Sequence, residues 1–136
     1  MRRVAIPLLV AALACGNGEE ERAPAVEARY GEPFDLSLGE RAVVDGGFDV
    51  TFTRVSEDSR CPEGAECVQA GNAAAAFAIE SDEGQATLTL HTGREPREAA
   101  AMGGALSLVE LRPSPVEGAP FDSAAYRATL IVDSAP

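Results

Sequence analysis

Groups that attack, ligate or exchange protons are scarce in this 136-residue chain. It has one histidine (His91), three cysteines (Cys15, Cys61, Cys67) and 11 basic residues, all arginine, against 22 carboxylates. Structural zinc takes four ligands, and Cys61, Cys67 and His91 together fall short of that. Cys61 and Cys67 also lack the Cys-x-x-Cys spacing of a redox pair. A serine hydrolase would need His91 beside a nucleophile such as Ser59 or Ser107, and neither sits in a Gly-x-Ser-x-Gly elbow. Paired carboxylates are uninformative in so acidic a chain. Asp45 with Asp49, or Asp82 with Glu83, could hold calcium in a loop, but the EF-hand spacing is absent and hairpin turns use aspartate anyway. His91 alternates in phase with Thr87 and Thr89, away from Leu88 and Leu90, so it is expected as an exposed or lightly hydrogen-bonded surface side chain. The expectation is a protein without metal or cofactor, and no enzyme.

Charge narrows the partners further. The formal net charge is −11, a field that repels nucleic acid, whose binding depends on cations neutralising phosphates. Met1-Arg2-Arg3 is a positive n-region, and Val4 to Leu13 is an apolar run interrupted only by Pro7. A bilayer core needs about 20 such residues, so this run suits a signal peptide instead. Ala12-Leu13-Ala14-Cys15 resembles the bacterial lipobox, with Ala12 where the pattern favours leucine. That resemblance implies cleavage after residue 14, acylation of Cys15 and a membrane anchor of two or three chains, since one chain alone binds only marginally. Loss of Arg2 and Arg3 leaves nine arginines against 22 carboxylates, a net −13. If the envelope is Gram-negative, Gly16, where an aspartate would favour inner-membrane retention, points to the outer membrane. Residues 15–32 read as the lipidated cysteine and an acidic tether carrying Glu19, Glu20, Glu21, Glu27 and Glu32, with a span of roughly 20–25 Å.

From Pro33 onward the pattern has period 2. Phe34, Leu36 and Leu38 alternate with Asp35 and Ser37; Arg41 to Val44 meets an Asp45-Gly46-Gly47 turn; Phe48, Val50 and Phe52 share a face. Parity breaks at Val55, which predicts a bulge near Arg54, and again at Val109 and Leu111. Asn72 to Ala76 has helix propensity, but Gly71 and Ser81 bound it closely and a hairpin partner waits beyond Asp82. It is expected as a strand buried on both faces. With Ala86 to Leu90, Leu106 to Leu111 and Tyr126 to Val132, about seven strands predict a single small all-β domain over residues 33–136. The expected fold is a β-sandwich with an immunoglobulin-like topology possible. Asp122-Ser123-Ala124-Ala125-Tyr126 is similar to the tyrosine corner of such sandwiches, although Ala128 stands where antibody domains carry a cysteine.

With Cys15 committed to lipid, Cys61 and Cys67 form an even pair in an oxidising compartment, bracketing the turn-forming Pro62-Glu63-Gly64-Ala65-Glu66. A disulfide closing so small a ring is worth about 2 kcal/mol on the chain-entropy account. Asp58-Ser59-Arg60-Cys61-Pro62, then Cys67, then Ala70-Gly71-Asn72-Ala73 resembles the DSRCP…CVWAGNA signature of a family of small bacterial lipoproteins and secreted proteins. Leu90-His91-Thr92-Gly93, Pro96-Arg97, Pro113-Ser114-Pro115 and Tyr126 to Leu130 are similar to that family as well. The resemblance spans about Phe34 to Val132 and implies no activity. Gln69 stands where the family carries tryptophan, a residue that would either pack the disulfide loop or line a recognition surface.

Asp58, Ser59, Arg60 and Pro62 thus form the candidate recognition loop. Arg60 is either a presented guanidinium for carboxylate or phosphate, or a brace tied to Asp58, Glu66 or backbone carbonyls. Arg94 and Arg97 flank Pro96 in a solvated loop with Glu95 and Glu98. The expected function is a monomeric, lipid-anchored binding or structural module of the cell envelope, meeting an envelope protein or ligand. The alternatives are a small inhibitor presenting the Cys61–Cys67 loop to an envelope enzyme, and a hydrolase or metal-dependent enzyme.

Overall fold

Alternating apolar residues make one continuous face only when the chain is extended, and two such faces stacked together bury both. The computed structural model describes residues 24–45 and 47–134; residues 1–23, with the expected signal peptide and Cys15, lie outside the described residues, as do Gly46 and residues 135–136. Nine strands form: β1 (Val26–Ala28), β2 (Phe34–Ser37), β3 (Arg41–Val44), β4 (Phe48–Asp58), β5 (Ala73–Ser81), β6 (Gly84–His91), β7 (Glu98–Ala101), β8 (Gly104–Arg112) and β9 (Arg127–Ser134). One sheet has the order β1-β3-β4-β5-β6 and the other β2-β9-β8-β7. All pairings are antiparallel except β1 with β3. The chain is an all-β sandwich.

The core lies between the sheets. Val50 and Phe52 of β4, Phe77 and Ile79 of β5 and Leu90 of β6 meet Leu36 of β2 and Leu130 and Val132 of β9, all fully buried. The Phe52 and Phe77 rings pack at 5.2 Å between centroids. Ala73 to Ala76 are buried in succession. Their helix propensity, worth only tenths of a kcal/mol per residue, loses to pairing with β4 on one side and β6 on the other.

Both parity breaks are register shifts. In β4 they fall between Phe52 and Arg54 and between Val55 and Glu57, which turns Val55 onto the core and sets Asp58 opposite Ala73. In β8 the shift lies between Leu108 and Glu110, so Leu111 is buried while Val109 is not.

Two expectations need correction. The immunoglobulin order puts the first, second, fourth and fifth strands in one sheet and the third, sixth and seventh in the other. Here β3 to β6 are consecutive neighbours in one sheet and β7 to β9 in the other. The tether over residues 15–32 is also too long. Val26–Ala28 pairs with β3, Ala28 is buried, and Tyr30 packs its ring 6.4 Å from that of Phe48. The Gly31 amide then donates to the Val132 carbonyl at 2.8 Å, joining the segment to the second sheet. Three strand residues carry too little alternation to register as a pattern, yet they close the open side of β3.

The strand directions sort the connections. Asp45–Gly47, Asp82–Glu83 and Met102–Gly103 are tight turns at one end, while the long connections 59–72, 92–97 and 113–126 gather at the other. If β1 belongs to the folded body, a chain starting at Pro33 should be less stable than one starting at Pro24 by about 2–4 kcal/mol, the scale of burying Ala28 and parts of Val26 and Tyr30. Urea midpoints of the two would measure this, and equal midpoints would return those residues to the tether.

Candidate functional site

A carboxylate at the end of a core strand must find donors, because water reaches it poorly. Asp58 closes β4 with its side chain 13% exposed, as is that of Arg60. The Arg60 guanidinium forks onto it, with Nε donating to Oδ1 at 2.9 Å and Nη2 to Oδ2 at 2.7 Å. The same guanidinium reaches across to the other sheet, donating to the Leu111 carbonyl at 2.7 Å and the Pro113 carbonyl at 2.9 Å. The Tyr126 hydroxyl, just ahead of β9, also donates to Asp58 Oδ2 at 2.8 Å. Five polar groups from β4, the 59–72 loop, β8 and its following loop, and the chain ahead of β9 are thus joined.

A second knot lies beside it. The Ser59 amide donates to the Asn72 carbonyl at 2.7 Å, and the Asn72 amide donates to Ser59 Oγ at 3.1 Å. The Gly93 amide donates to Asn72 Oδ1 at 3.0 Å, which orients that side chain. Asn72 Nδ2 therefore donates to His91 Nδ1 at 3.0 Å, and Arg94 Nε donates to the same atom at 3.3 Å. With Nδ1 accepting twice, the imidazole proton sits on Nε2. The Ala73 amide closes the ring by donating to Thr92 Oγ1 at 2.9 Å. The backbones are stacked too tightly for a side chain: a Cβ on Gly71, whose φ is +72°, would lie 1.8 Å from the Ser59 carbonyl oxygen, and one on Gly93 would lie 2.2 Å from that of Gly71.

Above these knots stands the clipped loop. Cys61 and Cys67 are disulfide-bonded, with Cα atoms 5.9 Å apart. The Cys61 amide donates to the Ala70 carbonyl at 3.0 Å, and the Glu63 amide to the Pro115 carbonyl at 2.8 Å. Residues 66–70 are all exposed, and Val68 is fully so (103%), more than any other large apolar side chain described. Val116 and Phe121 of the neighbouring loop are half-exposed.

These distances decide between the sequence readings. Arg60 is the brace, tied to Asp58 and two carbonyls rather than to Glu66. Ser59 serves the Asn72 backbone, and the Pro62 carbonyl accepts from the Ala65 amide at 3.1 Å within the loop turn. His91 is a correction: it is 8% exposed and not a surface side chain, because Asn72 and Arg94 fold over the outer face of β6. It lies one residue from Ser59 in the network, yet Asn72 stands between them and no serine–histidine bond exists. Ser107 is on the other sheet, donating to Glu98 at 2.7 Å. Asp49 and Asp82 share an open depression of about 310 Å³ at the opposite end of the sandwich, where Asp49 is already held by Arg41 at 2.6 Å. Among the described residues no group of three or more His, Cys, Asp or Glu is placed to hold a metal ion.

The tyrosine-corner expectation is half right. Tyr126 does fasten the start of β9, but to a carboxylate 68 residues upstream rather than to nearby backbone. Asn72 and Thr92, which organise the second knot, lie in the Ala-Gly-Asn-Ala and Leu-His-Thr-Gly motifs, where residue type alone does not mark them as the groups that bond.

With this geometry in hand, comparison with known proteins adds no relative: no family model, no curated protein and no solved structure matches the chain.

Burial pushes the Asp58 carboxyl up, but the hydrogen bonds from Arg60 and Tyr126 outweigh it and hold the group below its ordinary 3.8. Burial, reinforced by the Asp58 bond, pushes Tyr126 from 10.0 to about 12. A depressed acid stabilises the fold fully above its unfolded value and progressively less as pH falls below it. A raised phenol does so fully below its unfolded value. The knot should therefore weaken below pH 3.8 and again between pH 10.0 and about 12. Tyr126→Phe should flatten the alkaline limb of a stability–pH curve. Asp58→Asn should flatten the acid limb in part, since Asp35, held down by Thr129 against its own burial and further by Arg112, supplies a separate share. Gly71→Ala should cost about 2–4 kcal/mol, because it meets both a left-handed φ and a backbone oxygen. Chemical denaturation of the variant would measure that, and a cost under 1 kcal/mol would mean the backbone stack is looser than drawn.

Proposed function

We infer that this chain is a lipid-anchored domain of the bacterial cell envelope that works as a non-enzymatic binding module through its long-loop end. The observation that carries the reading is the contrast at that end. Asp58, Arg60, Tyr126, Asn72 and His91 are spent on one another, while residues 66–70, which they brace, face solvent. Preorganised loops bind well because little ordering entropy remains to be lost. Position 69 belongs to this outward segment, which favours a recognition role for the tryptophan that the resembling family carries there. The membrane end of the proposal rests on the n-region, the short apolar run and the lipobox-like Ala12-Leu13-Ala14-Cys15. In a Gram-negative envelope, Gly16 in place of an inner-membrane-retaining aspartate favours the outer membrane.

Cys15→Ser should move the protein from the membrane fraction to the soluble one without changing its melting curve. Mass spectrometry of the wild type should find acylated Cys15 at the mature N-terminus. An unmodified Cys15 would remove the anchor. For the binding surface, a photo-crosslinking side chain at position 68 in intact cells should give discrete adducts, whereas one at Gln85, at the far end of the sandwich, should not. Equal labelling from both positions would remove the loop end as the contact surface.

A further inference from the structure

We propose that residues 66–70 form a substrate-like loop that inhibits serine endopeptidases whose primary pocket takes a small aliphatic side chain, with Val68 entering that pocket. The proposal rests on the binding-module reading and names the partner class for the same surface.

Three features point there. First, Val68 is a branched aliphatic side chain held wholly in water, between a cystine and the uncharged Gln69 and Ala70. Endopeptidases take accessible backbone with one side chain in a pocket, and Val68 and Gln69 form a bend in the exposed segment 66–70, which leaves the valine and the amide after it open to an approaching enzyme. Second, the segment cannot collapse. Cys67 is bonded to Cys61 immediately before Val68, and the Ala70 carbonyl is held by the Cys61 amide immediately after Gln69. Below them, Asn72 and Ser59 exchange two backbone-anchored bonds, and Arg60 ties the loop to the second sheet. Third, cutting the chain would not release its ends. When the enzyme's serine oxygen bonds to the Val68 carbonyl carbon, the Val68–Gln69 amide breaks, and the serine proton passes through the enzyme's histidine to the Gln69 nitrogen. Gln69 then stays beside the ester through Ala70 and Asn72, and Val68 stays in place through the disulfide. The reverse step re-forms the amide, returns the proton and frees the serine, so attack recurs without net turnover. A flexible loop would lose its amine to solvent, and water would complete the hydrolysis.

The test uses the full lipidated chain in detergent with pancreatic elastase, subtilisin and trypsin. The native protein should inhibit elastase or subtilisin saturably and competitively with a peptide substrate, and should leave trypsin untouched. Val68→Asp should weaken inhibition at least about 100-fold, because it carries a charge into an apolar pocket. Val68→Lys should transfer inhibition to trypsin. Reduction and alkylation of Cys61 and Cys67 should turn the loop into a substrate cut after Val68. Val68 is solvent-exposed, so its variants will fold, and circular dichroism verifies this. No inhibition of either enzyme by the native protein, rapid cleavage of the native loop, or inhibition that Val68→Asp leaves unchanged overturns the proposal. Crosslinks from position 68 without any peptidase inhibition would also overturn it while sparing the binding-module reading. Inhibition without such crosslinks in cells would uphold the loop chemistry and place its target outside the envelope.

Discussion

A single carboxylate organises the long-loop end of this domain. Asp58 terminates a strand that is otherwise apolar on its inner face, and a charge there is tolerable only if donors converge on it. They come from both sheets: Arg60 from the loop that follows and Tyr126 from the far side of the sandwich. Arg60 in turn takes two carbonyls from the end of β8 and the loop after it. The pairing is worth more for what it aligns than for its net energy, since ion pairs this enclosed recover little beyond their desolvation. It sets the distance between the two sheets where no hairpin joins them. The disulfide and the Asn72 knot both stand on that footing.

The sandwich was legible where alternation was sustained. Phe48 to Phe52, Ala86 to Leu90 and Tyr126 to Val132 each declare an inner face, and broken parity at Val55 and Val109 marked both bulged strands. β1 and β7 escaped because three or four residues of Val, Glu and Ala carry no period, and their pairing is conferred by neighbours already in place. Ala73 to Ala76 was decided by its flanks, not by propensity. The Arg60 brace could be foreseen from the fork geometry beside Asp58. The burial of His91 could not, because alternation assigns a side chain to a face but is silent on what folds over that face. Asn72 and Arg94 come from two different loops, and only the closed fold brings them onto the ring.

The distribution of charge leaves the long-loop end acidic. Four of the eight described arginines are committed to carboxylates: Arg41 to Asp49, Arg60 to Asp58, Arg94 to Glu57 and Arg112 to Asp35. Carboxylates on the long loops, Glu63, Glu66, Glu117 and Asp122, are exposed. Such a body is repelled by anionic headgroups over about a Debye length, roughly 8 Å at physiological salt.

The parallel pairing of β1 with β3 has a mechanical side. Tension arriving from the N-terminal direction enters the domain along β1, in line with the strand. Its hydrogen bonds to β3 would then be loaded together in shear instead of being peeled one at a time. The short strand lies beside Ala42–Val44, next to the turn end of the sheet, and acts as a sacrificial link that parts before the sheets do.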